Sequence, residues 1–174
     1  ANAHAEVPYK TYTHDAAGGS YNIIETQAAY IPGGNITKVG ETSFIGARDM
    51  KITKDGYIYI ADTGNRRILV SDLQGNYIRE FGQDVLVTPC GVFVTEDRTV
   101  YVADRDAKKV FVFDGEGNVI NEYGKPDHPL YGNEADFLPL KIAVNHAGIM
   151  FVICESNTNG IVQISPVEGG TFLG

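Results

Sequence analysis

The stretch YIADTGNRRI at residues 59–68 returns, with substitutions, as YVADRDAKKV at residues 101–110. Asp62 and Asp104 hold the same place in the two copies and lie 42 residues apart. In each copy an apolar strand pattern ends at the aspartate and a polar turn follows. A period of about 40–45 residues is typical of the four-stranded blades of a β-propeller. The repeat therefore predicts an all-β propeller fold.

The repeat extends downstream of the two motifs. Gly75-Asn76 returns as Gly117-Asn118 at the same spacing. A looser third copy follows, displaced by about 50 residues because residues 125–137 form an insertion before it. We therefore predict an N-terminal segment and three blades, whose ranges are 1–47, then 48–88, 89–137 and 138–174.

Short apolar runs bounded by turn signals predict four strands in each of the first two blades, and no window has the apolar spacing of a helix. The predicted strands are 50–53, 57–61, 68–71 and 77–81, then 91–95, 99–103, 110–113 and 119–123. The N-terminal segment has two further strand-like runs, residues 9–13 and 21–26. We expect these runs to act as strands that close a ring.

The motif in the first blade resembles the core of an NHL repeat, in which a strand ends in Asp and is followed by Asn, Arg and an aliphatic residue. Asp62, Asn65, Arg67 and Ile68 match that core one by one. The resemblance implies a propeller that commonly has six blades. Three blades make an incomplete ring, so the chain is expected to be a piece of a longer protein. The alternative is an open arc that self-associates through its exposed blade edges.

The second and third blades depart from the NHL pattern. Asp104 is kept in the second blade, but Ala107 replaces Asn and Lys109 replaces Arg. In the third blade Cys154 or Glu155 stands where Asp is expected. An aspartate at a strand end accepts hydrogen bonds from turn amides, and an arginine bridges to a carboxylate. We therefore predict that the motif residues are structural, with ligand contact as the alternative.

One face of the propeller is the predicted binding surface. It bears the turns between second and third strands, at residues 63–66, 105–108 and 156–159, together with the insertion at 125–137. Long polar loops of this kind often carry recognition sites. The ligand is expected to be a protein or a carbohydrate. The candidate binding residues are Asp127, His128, Tyr131, Asn133, Glu134, Arg66 and Arg105.

An enzyme is the competing interpretation. Propellers that resemble this chain include lactonases and metal-dependent lyases, whose remaining ligands would then lie outside this chain. The four histidines show no metal-ligand spacing, and no position matches a family active site. Asp114 to Asn118 resembles half of a calcium loop, but a hairpin turn explains it equally. We predict a non-catalytic protein without a cofactor, with calcium as the alternative.

Charge and composition narrow the partners further. The chain has 22 acidic and 14 basic residues and a net charge of −8, so nucleic acid is not an expected partner. No apolar stretch is long enough for a membrane span. Ala3-His4-Ala5 is similar to the end of a secretory signal peptide, which predicts a secreted or cell-envelope protein, with a frayed terminus as the alternative. The two cysteines, Cys90 and Cys154, are expected to be free thiols.

Overall fold

The computed structural model describes residues 10–15, 22–26, 36–128, 131–132, 136–155, 160–166 and 171–173. The chain divides into two compact units, Ala1–Asn35 and Ile36–Gly174. The first unit contains an antiparallel hairpin of β1 (Thr11–Asp15) and β2 (Asn22–Thr26). An exposed ion pair between Lys10 and Glu25 accompanies this hairpin.

Within the described part of the second unit, three four-stranded antiparallel sheets follow one another along the chain. A short hairpin of β3 (Lys38–Val39) and β4 (Thr42–Ser43) precedes them. Each strand pairs with the next one in sequence, so the all-β, four-stranded organisation predicted from the repeat is confirmed. The first sheet comprises β5 (Asp49–Ile52), β6 (Tyr57–Asp62), β7 (Arg67–Asp72) and β8 (Tyr77–Phe81). The second comprises β9 (Pro89–Val94), β10 (Val100–Asp104), β11 (Lys109–Phe113) and β12 (Val119–Tyr123). The third comprises β13 (Pro139–Val144), β14 (Met150–Cys154), β15 (Ile161–Ser165) and β16 (Thr171–Phe172).

The core lies between neighbouring sheets. One buried cluster joins residues of the first two sheets, among them Ile68, Val70, Val92 and Val102. A second cluster joins the second and third sheets through residues such as Val110. Each central strand therefore buries both of its faces, which is why β6, β7, β10 and β11 read as nearly continuous apolar runs.

The innermost strands of the three sheets, β5, β9 and β13, lie side by side. Their registers pair Asp49 with Ala61, Gly91 with Ala103 and Lys141 with Ile153, so the first member of each pair holds an equivalent position. Lys141 Nζ lies 3.0 Å from Asp49 Oδ1. Asp49 Oδ2 also accepts the amide of Val92 at 3.1 Å. Asp49 therefore ties the first sheet to both of the others.

Gly91 permits this close approach of inner strands. A Cβ added there would lie 2.7 Å from the carbonyl oxygen of Leu140 and 3.0 Å from the Cα of Lys141. Both atoms belong to backbone, so a rotamer change cannot relieve the contact. Glycine at this position therefore sets the distance between β9 and β13.

The repeat also extends further towards the N-terminus than the two strand-end motifs. Val39-Gly40 lies 42 residues before Phe81-Gly82, which in turn lies 42 residues before Tyr123-Gly124. Val39, Phe81 and Tyr123 are all buried. Val39 packs against Ile58, Ile60 and Leu69 in a third core cluster. The hairpin β3–β4 thus supplies packing that the outer strand of a preceding blade would supply.

We expect Gly91→Ala to lower the free energy of unfolding by about 1–3 kcal/mol, because the added methyl group overpacks a backbone contact. Gly124→Ala is the matched control, since a Cβ there meets no atom within 4 Å. Denaturant unfolding of both variants measures the difference. Equal midpoints for the two variants would contradict this account of β9 and β13.

Candidate functional site

The strand-end carboxylate of the first sheet is a buried anchor. Asp62 Oδ1 accepts the amide of Ile45 at 2.8 Å. Its Oδ2 accepts Asn65 Nδ2 at 2.8 Å and Arg67 Nε at 2.9 Å. Asp62 has no solvent exposure, and the Arg67 side chain is nearly buried as well. The carboxylate is thus occupied by the turn and by the segment that enters the sheet.

Arg67 spreads these contacts over three elements. Its Nη1 donates to Glu80 Oε2 at 2.7 Å, and its Nη2 donates to the carbonyl of Ser43 at 3.3 Å. The same carbonyl accepts Asn65 Nδ2 at 3.3 Å. The guanidinium therefore connects three strands: β4, β6 and β8. This is the bridging role expected of an arginine in this motif.

In the second sheet, the strand-end carboxylate is also occupied by the turn and by the entering link, but the donors differ. Asp104 accepts the amides of Val87 at 2.7 Å, Thr88 at 2.8 Å and Ala107 at 3.0 Å. The backbone amide of Ala107 therefore replaces the side-chain donor that Asn65 supplies in the first sheet. Lys109 Nζ pairs with Glu122 Oε1 at 2.7 Å, as Arg67 pairs with Glu80.

In the third sheet Cys154 takes the aspartate position. Pro139 pairs with Cys154 in the register in which Pro89 pairs with Asp104. Burial raises the pKa of the Cys154 thiol to about 11. The next residue keeps the link attached, since the Glu155 amide donates to the Leu138 carbonyl at 2.8 Å. Both cysteines are free and buried.

A charged cluster lies on the predicted binding face, where the links enter the sheets. Arg105 pairs with both Glu155 and Asp106. Glu155, and then Asp106, raise the pKa of Arg105, and Arg105 in turn lowers the pKa of Glu155. A hydrogen bond from Thr88 Oγ1, at 2.7 Å, is the main cause of the lowered pKa of Asp106. The cluster joins the second and third sheets across their boundary, with one guanidinium shared between two carboxylates.

Buried aromatic residues anchor the insertion to the core. Tyr131 is buried in the core between the second and third sheets, so its ring is not on the binding surface expected from the sequence. Its ring meets Phe137 edge-on with centroids 6.2 Å apart, and its hydroxyl donates to the Asp136 carbonyl at 3.1 Å. A tyrosine among polar residues looks exposed in sequence, but burying its ring fixes the loop.

The other predicted binding residues are dispersed over this face. Asp127 is exposed, and half-buried His128 accepts the Tyr131 amide through its carbonyl at 3.0 Å. Arg66 is exposed and has a left-handed backbone, with φ of 54°. Asn133 and Glu134 lie outside the described residues, as does the turn at 156–159. The structure brings Arg105 into the charged cluster, and among the described residues no hydrogen bond or ion pair joins Arg105 to Arg66 or Asp127.

The calcium-like turns use their carboxylates internally. Asp114 Oδ1 accepts the amides of Glu116 and Asn118, and its Oδ2 accepts Asn118 Nδ2 at 2.9 Å. Asp72 makes the same contacts with Gln74 and Asn76. The side chain of Asn118 is the main cause of the lowered pKa of Asp114. These are hairpin turns, and the described residues contain no cluster of three or more His, Cys, Asp or Glu suited to a metal ion.

A cleft of about 820 Å³ opens on the opposite face, among the turns that join first and second strands. We call it the turn-face cleft. All three sheets contribute to it, and sequence reasoning gave it no role. The residues that matter below are Lys51, Phe93, Tyr101 and His146. Its signal in the sequence was the aromatic Phe93 and the basic Lys51 at equivalent inner-strand positions.

Ion pairs hold the rim of the turn-face cleft across the first two sheets. Lys54 pairs with Glu96, and Arg98 Nη2 lies 2.7 Å from Asp55 Oδ2. The hydrogen bond from Lys54 lowers the pKa of Glu96. Deeper in the cleft, the Lys51 ammonium lies over the Phe93 ring, 4.6 Å from its centroid. Among the described residues, Lys51 has no carboxylate partner within ion-pair distance.

Solved structures similar to this chain are β-propeller proteins. A streptogramin B lyase aligns with a TM-score of 0.56 at 19% identity, over 74% of this chain and 39% of the lyase. Hydrazine synthase from Kuenenia stuttgartiensis gives 0.59 at 20% identity, over 83% of this chain and 38% of the synthase. A luciferin-regenerating enzyme gives 0.53 at 14% identity, over 95% of this chain and 54% of that enzyme.

These likenesses establish a propeller fold and leave the family as a prediction. The chain spans 38% to 54% of the length of these neighbours. No family model and no curated protein matches the chain. The described residues also contain no helix long and apolar enough to cross a membrane.

Removal of the buried carboxylate tests the anchor. We expect Asp62→Ala to lower the free energy of unfolding by about 3–5 kcal/mol, because Arg67 loses its buried partner. Asp114→Ala is the control, an aspartate whose turn contacts are exposed, and its effect should be much smaller. Equal losses in denaturant unfolding would show that burial of the pair is unimportant.

Burial of Cys154 predicts slow thiol chemistry. A pKa raised from 9.0 to about 11 leaves the native thiol protonated at pH 8, so its alkylation should be about a hundredfold slower than that of an ordinary thiol. The rate should climb as the pH approaches 11. Iodoacetamide labelling followed by peptide mass spectrometry measures it, with the denatured chain as the control. Rapid labelling of native Cys154 at pH 8 would contradict the burial.

Proposed function

We propose that this chain is a non-catalytic recognition module that binds an acidic carbohydrate in the turn-face cleft. The observation that carries the proposal is Lys51, whose ammonium contacts an aromatic ring and has no carboxylate partner in the described part of the chain. The neighbouring cations Lys54 and Arg98 are already paired with Glu96 and Asp55. Asp97 also lines the cleft, and its carboxylate accepts hydrogen bonds from Thr95 and the Thr99 amide. An anionic ligand would find its counter-charge at Lys51.

The walls of the cleft suit a sugar ring. Tyr101 is half-buried and lines the cleft, so part of its side chain remains accessible. Phe93 is also half-buried in the lining, with the Lys51 ammonium over its ring. An aromatic face packs against an apolar ring surface, while polar groups at the margin fix orientation. Asn145 and exposed His146 supply polar groups at that margin. A carboxylated or sulfated sugar combines the apolar face and the negative charge that this arrangement accepts.

The shape of the cleft favours a carbohydrate over a folded protein. Its volume of about 820 Å³ lies within the range of about 300–1,000 Å³ usual for small-ligand sites. A protein partner instead requires a broad surface of roughly 800 Å² on each side. Acidic polysaccharides are abundant outside cells, so the proposal accords with the secreted or cell-envelope location expected from the sequence.

Catalysis is the second candidate function, and it would require a bound metal ion. A lactonase or lyase of the metal-dependent kind needs an ion that polarises a substrate oxygen. The fold shared with streptogramin B lyase permits this reading without supporting it further, because the identity is 19%. Elemental analysis of the purified chain separates the two. One tightly held calcium or zinc per chain would favour the enzyme over the recognition module.

We expect Lys51→Met to weaken binding of an oligogalacturonate by about tenfold or more, because a charge-assisted contact is lost. Lys38→Met is the control, since Lys38 is an exposed lysine on β3 outside the cleft. Isothermal titration with the acidic oligosaccharide, and with a neutral one of equal length, measures the effect. Unchanged affinity in Lys51→Met, or equal binding of the neutral sugar, would refute the proposal.

A further inference from the structure

Among the residues that the structure describes, nothing covers part of one face of the first sheet. Met50 of β5 is 64% exposed, and Ile52 on the same strand is also exposed. We call this pair the leading face. At the equivalent position in the second sheet, Val92 is 4% exposed because the first sheet packs on it. The innermost strand of the first sheet thus presents apolar residues of a kind that its successors bury.

On the opposite face, the described part of the chain also leaves residues of the third sheet exposed. Ile153 of β14 and Ile161 of β15 pair with each other, and both are exposed. We call this pair the trailing face. In the second sheet the equivalent pair is Ala103 and Val110, which are fully buried against the third sheet. The third sheet therefore exposes two isoleucines at positions where the second sheet buries smaller apolar residues.

The two faces are equivalent to the two halves of an interface that already exists within the chain. Wherever two sheets meet within this chain, the face equivalent to the trailing face packs on the face equivalent to the leading face. This happens between the first and second sheets and again between the second and third. A surface that repeats an existing interface has the shape to continue it.

Part of this interface is already in place beside the leading face. Val39 and Phe44 pack on Ile58, Ile60 and Leu69, as Phe81 and Leu86 pack in the cluster between the first two sheets. A cavity of about 460 Å³ remains next to them, lined by Met50, Ile58 and Ile60 among others. What the cavity lacks is a pair of apolar residues from second and third strands, such as the pair that forms the trailing face.

We propose that a second copy of this chain covers both faces. The trailing face of each copy packs on the leading face of the other, so that the two contacts are related by a twofold axis. The described residues of two copies contribute six four-stranded sheets, and propellers close with about four to eight blades. A head-to-tail contact forms a closed ring when its rotation is completed, and here two copies complete it.

Sedimentation velocity at micromolar concentration tests the assembly, and the wild-type chain should run as a dimer. Met50→Glu and Ile153→Lys should each weaken dimerisation by about a hundredfold or more, because each buries an unpaired charge at two equivalent contacts. Both positions are exposed in the single chain, so each variant should keep its β-sheet circular dichroism. Ile120→Lys is the control, since Ile120 is exposed on the outer strand β12, away from both faces.

Mixing the two variants gives the decisive result. In a heterodimer, Glu and Lys meet at one contact while the other contact is wild-type, so the mixture should dimerise although neither variant does alone. Failure of the mixture to dimerise would overturn the reciprocal arrangement. A monomeric wild-type chain would show that another segment covers the faces, and an open polymer would show that the ring does not close. Either outcome would end the proposal.

Discussion

A hydrogen bond between a strand-end carboxylate and the link that precedes its sheet determines how the repeats are joined. Asp62 holds the amide of Ile45, and Asp104 holds the amide of Val87, in each case 17 residues earlier. The bond fixes the path by which the chain leaves one sheet and enters the next. Both carboxylates are buried, and the apolar faces between sheets are brought into register beside the bond.

The fold was legible in the sequence because a blade repeats the same local chemistry. The strand-end aspartate, the hairpin glycine and the apolar strand segments recur at one spacing, and each is a short-range signal. Tyr131 was misjudged for the opposite reason: whether an aromatic residue in a polar loop points inward depends on a distant sheet. Val39 is equivalent to Phe81 at the same spacing, but Val39 lies outside the strand-end motif from which the repeat was predicted.

The candidate site was harder to predict than the fold. Lys51 and Phe93 are 42 residues apart, and nothing in the local sequence of either one indicates that they meet. Their contact arises because the inner strands run side by side, so residues at equivalent positions form a row across the sheets. The same arrangement brings Lys141 to Asp49. Chemistry on this scaffold is therefore assembled between repeats, while the repeats themselves encode mainly their own turns and cores.

The insertion at residues 125–137 shows how tolerant the links are of length. The third sheet is displaced by about eight residues from the regular period, yet the Glu155 amide still reaches the Leu138 carbonyl, at 2.8 Å. Arg105 of the sheet before it still meets Glu155. These hydrogen bonds and ion pairs involve only the last few residues of a link, so they do not depend on the length of the rest. A change in the length or sequence of such a loop should therefore leave the contact between neighbouring sheets intact, provided that the last residues of the link are kept.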